Sequence, residues 1–154
     1  MRKFVALLVV SAVGLAAPAS MGATVKQYNG TFTPGGTLSF KLKKTNKGKK
    51  VIDFTFSNFP VACSGGPNTT SGNLTFPVKV KNNKFEAAGV AGNDPNNPRS
   101  RLDLTGEFKP GQKAEGTMKV RGPKVNVDNP PPRGTSDCSS PKTNWTATAL
   151  VRNG

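Results

Sequence analysis

The sequence predicts an all-β, single-domain fold: an eight-stranded antiparallel meander of barrel-like form, with a two-sheet β-sandwich as the alternative. Three observations carry that expectation. Eight segments alternate apolar and polar residues with period two, the mark of strands with one face buried. No segment beyond residue 22 carries a helical period. The links between segments alternate between compact turns and long stretches rich in Gly, Pro, Asn and Ser, as hairpin connections do.

Residues 1–22 stand apart from this pattern. Arg2 and Lys3 precede the apolar run Phe4 to Ala17, and small residues follow, with cleavage expected between positions 19 and 23. This is the pattern of an export signal, and the run is too short to span a bilayer comfortably. The expected mature chain, residues 23–154, carries no transmembrane segment, and the expected location is secreted or extracytoplasmic.

The segments follow in order. Tyr28, Gly30 and Phe32 open the series, and Leu38, Phe40 and Leu42 alternate with Ser39, Lys41 and Lys43. Ile52, Phe54 and Phe56 come next, then Leu74, Phe76, Val78 and Val80 with Pro77 on the polar side, where it suggests an edge, a bulge or a strand end. Phe85, Ala87 and Gly89 form the fifth inward set, and Leu102, Leu104, Gly106 and Phe108 the sixth. Ala114, Gly116, Met118 and Val120 form the seventh, and Trp145, Ala147, Ala149 and Val151 the eighth. Small residues recur on this face, as they do where strands bend or approach closely.

Compact links at 44–49, Asn82-Asn83 and Pro110 to Gln112 alternate with long ones at 58–73, 90–100 and 121–143. In a meander all the long links fall at one end, which they share with the Pro34-Gly35 turn. Cys63 and Cys138 lie in two of them, so the topology brings them to the same end. In an exported chain they are expected to form one disulfide. Closing a loop of 75 residues stabilises by roughly 4 kcal/mol in the chain-entropy account.

The chain has 22 Lys and Arg, 8 Asp and Glu and no His, a net charge of +14. Loss of Arg2 and Lys3 with the signal leaves +12. Without His, and with both cysteines oxidised, a Ser-His-Asp or Cys-His hydrolase is excluded, and zinc lacks its usual ligands. No cofactor or metal is expected. The remaining catalytic alternative is a glycan-active enzyme using the loop carboxylates Asp94, Asp128 and Asp137.

The charge directs attention to anionic partners. Lys41, Lys43, Lys44, Lys47, Lys49 and Lys50 crowd one hairpin and form the first candidate site, for phosphate- or sulfate-bearing polymers. The competing account is a solubilising face that protects an exposed strand. Arg99, Arg101, Lys124, Arg133 and Lys142 gather at the long-link end and form the second candidate, at what would be a barrel mouth.

Tyr28-Asn29-Gly30-Thr31, Leu38-Ser39-Phe40, the lone Cys63, Leu104-Thr105-Gly106-Glu107-Phe108, Ala114-Glu115-Gly116-Thr117-Met118, and Cys138 followed by Trp145-Thr146-Ala147 resemble a loose group of small secreted bacterial β-rich proteins of unassigned function. The meander plan is also similar to lipocalin and avidin-type barrels, by architecture alone. Together these readings give the expectation of a secreted, monomeric, non-enzymatic binding or surface-associated domain. Its partner would be an anionic polysaccharide, cell-wall polymer or nucleic acid, and the alternative is a barrel holding a small apolar ligand.

Overall fold

The computed structural model describes residues 23–74, 76–91, 100–122 and 137–151; the expected signal segment lies outside them. Ten strands and no helix are present among the described residues: β1 (Thr24–Thr33), β2 (Thr37–Thr45), β3 (Gly48–Cys63), β4 (Gly66–Leu74), β5 (Val78–Lys81), β6 (Lys84–Ala91), β7 (Ser100–Lys109), β8 (Lys113–Gly122), β9 (Cys138–Ser139) and β10 (Thr143–Ala149). Eight of them close a ring in the order β10-β1-β2-β3-β5-β6-β7-β8, with β8 returning to β10. The expected meander is therefore a closed antiparallel barrel, and the sandwich alternative falls.

The inward face follows the alternation closely. Tyr28, Phe32, Leu38, Phe40, Phe54, Phe85, Leu104, Met118 and Trp145 are all buried. Their rings pack together: Phe40 stacks on its cross-strand neighbour Tyr28 at 5.0 Å between centroids and meets Trp145 edge-on at 5.9 Å. Phe85 lies within 6.1 Å of Phe40 and of Trp145. Each such side chain contributes roughly 1.5–3 kcal/mol by leaving water.

Four expectations need correction. The first is the inward set of β3. Val51 is buried and Ile52 is half-exposed, because Asp53 inserts an extra residue opposite Phe40. Asp53 takes φ 53°, and Asn58 takes φ 54° at a second irregularity between Phe56 and Phe59. Each insertion resets the period-two pattern by one residue. The second is the link at 58–73, which is strand rather than loop: β3 continues to Cys63 and turns into β4, which pairs back along it.

The third concerns the segment around Pro77, which is split there into β4 and β5, leaving Phe76 43% exposed. A proline cannot donate to the ladder, so the break falls where the donor is missing. The fourth is Val151, expected inward, which is exposed beyond the end of β10.

Cys63 and Cys138 form the expected disulfide. The short β9 that carries Cys138 pairs with β3 through Ala62 and Cys63, and with β8 through Arg121 and Gly122. In the ring, three strands separate β3 from β8 in either direction. β9 therefore crosses the end of the barrel and ties opposite walls together. Three further bonds fix it: Ser64 N–H donates to the Asp137 carbonyl at 3.1 Å, Ser140 N–H to the Val120 carbonyl at 2.7 Å, and Val120 N–H to Ser140 Oγ at 2.9 Å. Phe59 and Val61 of β3 and Val120 of β8, the strands it joins, are buried.

Candidate functional site

The register sorts the six hairpin lysines by face. Residues directly opposed across antiparallel strands point the same way. Leu42 faces Val51 on the inner side, so their neighbours Lys43 and Lys50, also directly opposed, face outward. On the far side of β3, Lys50 opposes Lys79 of β5. Lys43, Lys50 and Lys79 thus form one row over three adjacent strands, at a strand spacing of about 4.8 Å. Like charges in direct opposition destabilise a sheet, and among the described residues no carboxylate pairs with any of the three.

The other predicted lysines do different work. Lys41 is bound to Asp53 at 2.9 Å. Lys49 turns toward the barrel end, where its ammonium donates to Asn83 Oδ1 of the β5–β6 turn at 3.2 Å. Lys44 opposes Lys49 at that rim, and Lys47 stands exposed in the β2–β3 turn. Lys26 makes a bond similar to that of Lys49, donating to Gln112 Oε1 at 3.3 Å. The hairpin cluster is therefore split between an outer row and a closing rim.

Sequence reasoning missed Lys79 and its neighbours Lys81 and Lys84. The signal was present: Val78-Lys79-Val80-Lys81 alternates, and a meander places that polar face beside the polar face of β3. Lys81 and Lys84 oppose each other across the β5–β6 turn, where Asn82 and Asn83 both have positive φ.

These residues open into a groove of about 600 Å³ on the outer wall. Lys79, Lys81 and Lys84 line it together with Glu86, Thr105 and Glu107. Its floor is the backbone at Gly106 and Gly116, opposed across β7 and β8. A Cβ on Gly106 would collide with the Phe85 and Trp145 rings, and one on Gly116 with the Thr105 carbonyl and Trp145. The wall can lie directly on the core rings only because both residues are glycine. Glu107 and Glu115 share Lys109 at 3.0 and 3.2 Å, and bonding to that lysine holds the Glu107 carboxyl below its ordinary value.

The second predicted cluster is only partly in view. Arg99, Lys124 and Arg133 lie outside the described residues, as do Asp94 and Asp128. Arg101 is bound to Asp103 at 3.0 Å, and Arg121 holds the same carboxylate at 3.1 Å. Lys142 is exposed between β9 and β10, and Asp137 is exposed beside Cys138. The end expected to be an open mouth is crossed by β9.

Comparison of the chain with protein-family models, with curated proteins and with solved structures finds no match in any of the three.

Proposed function

We propose that the protein is an exported, non-enzymatic binding module that holds an anionic polymer along the outer row Lys43–Lys50–Lys79. The observation that carries this reading is the row itself: three cations in direct register, without internal carboxylate partners among the described residues. Such a row costs stability in the free protein and is relieved by an anion laid across it. Export is supported by the pattern of residues 1–22 and by the disulfide, which suits an oxidising compartment.

An acidic polysaccharide is favoured over single-stranded nucleic acid. Base stacking needs exposed aromatic platforms, and among the described residues the exposed large aromatic is Phe76, off the lysine row. The enclosed-ligand alternative has less support, because aromatic side chains in mutual contact fill the lumen.

The test is retention on immobilised polygalacturonate and heparin at graded salt. Replacing Lys43, Lys50 and Lys79 together by Gln should flatten the slope of log affinity against log salt by roughly 2–3, at about 0.7–0.9 for each polymer charge no longer neutralised. Replacing Lys41 and Lys49, whose ammonium groups are engaged within the protein, should change it by less than about one unit. Equal effects from the two sets would refute the row as the binding element.

A further inference from the structure

We infer that the groove over Gly106 and Gly116 is a subsite for one acidic sugar unit, a hydroxylated ring bearing a carboxylate or sulfate. This rests on the polyanion reading above and names the chemistry of its ligand. Lys79 belongs both to the outer row and to the groove wall, so a polymer following the row is delivered into the groove. There it meets two more ammonium groups, Lys81 and Lys84, opposed across the β5–β6 hairpin.

The carboxylates decide the class of ligand. Glu107 and Glu115 are both satisfied by Lys109, so they offer little to an incoming ammonium group. Glu86 lines the groove beside the lysines and has no ion-pair partner among the described residues. A bare anion is drawn by the lysines but gains nothing from Glu86, which repels it and only accepts hydrogen bonds. A ligand that carries hydroxyl donors beside its anion uses both: the anion on the lysines, the hydroxyls on Glu86 as charge-assisted bonds. A groove of about 600 Å³ accommodates a unit of sugar size. Its floor is backbone, so the ring approaches closely without displacing a side chain.

Glu86→Ala gives the discriminating sign. If the groove attracts anions by charge alone, removing a carboxylate tightens binding. If it binds an acidic sugar, the same change weakens binding, because the acceptor is gone. The experiment is calorimetric titration of the protein with digalacturonate, using inorganic sulfate as the bare anion. We expect saturable digalacturonate binding, weakened about tenfold in both Glu86→Ala and Lys84→Met, as removal of a charge-assisted hydrogen bond implies. Unchanged melting temperatures would show that both exposed variants remain folded. Lys43→Met with Lys50→Met, outside the groove, should leave digalacturonate binding within about twofold while reducing retention on the polymer.

Absence of saturable binding overturns the inference, as does sulfate binding as tightly as digalacturonate, or a tightening in Glu86→Ala. If digalacturonate fails while retention still depends on the lysine row, the groove assignment falls and the row stands. If retention no longer depends on the row either, both fall.

Discussion

At the scale of single residues, Tyr28 offers the cleanest view of the core, because it is the only tyrosine in the chain. It is buried, stacked on Phe40 and edge-on to Phe108 at 5.4 Å, and burial pushes its phenol above the ordinary value of 10.0. The protonated form is the one the fold favours. Its contribution to stability is therefore fully present below the unfolded tyrosine value and is lost as pH rises through the higher folded one. An ultraviolet titration should give a single tyrosinate midpoint above 10, and Tyr28→Phe should lessen the loss of stability in that alkaline range. A midpoint at the ordinary value in the folded protein would contradict the burial. The alternation of Tyr28, Gly30 and Phe32 made this residue legible as core from sequence. Ile52 was not, since Asp53 and Asn58 each add one residue to β3 in a left-handed conformation. Asp and Asn tolerate that conformation, yet nothing in a single sequence distinguishes an Asp at a bulge from an Asp on a polar face.

At the scale of elements, the informative piece is β9. It has two residues, too few to persist as an independent strand, and it is held by short pairings to β3 and β8, three flanking hydrogen bonds and the disulfide. Replacing Cys63 and Cys138 together by Ser should cost up to roughly 4 kcal/mol through the unfolded chain. The native-state effect should be local: faster amide exchange at Cys138 to Ser140 and at Phe59 to Cys63, with the β7–β8 pairing little changed. Exchange that accelerates evenly over all strands would mean that β9 does not act as a separate fastening. The meeting of the two cysteines at one end was legible from the alternation of long and short links. The crossing of that end by β9 was not, because two residues are too few to show a period. The β3–β4 hairpin was hidden for a related reason: Gly, Pro, Asn and Thr between Gly66 and Asn73 read as loop chemistry, whereas pairing along β3 supplies the order.

At the scale of the whole molecule, the barrel turns a series of lysines into a surface. Sequence proximity grouped Lys41 to Lys50, whereas ring closure divides that group and adds Lys79, Lys81 and Lys84 from strands that sequence distance had separated. Ion pairs engage Arg101, Lys109 and Arg121 on β7 and β8, and on the β2–β3–β5–β6 wall they engage Lys41 and leave Lys43, Lys50 and Lys79. This distribution carries a prediction about pH. With no His, and with Cys63 and Cys138 bonded to each other, the side chains that set the charge are carboxylates, lysines and arginines. None of these side-chain types has its ordinary titration range between about pH 6 and 9, so side-chain charge is expected to be nearly constant there. Retention on a polyanion should accordingly be flat over that range and fall steeply with salt at every pH within it. The measurement is retention on polygalacturonate, whose own carboxylates stay ionised there, on a grid of pH and ionic strength. A transition near about pH 6.5 would require a titrating group that these side chains do not supply. A salt-independent retention would remove the lysine row from the binding step, leaving the neutral hydrogen-bonding parts of the wall to account for it.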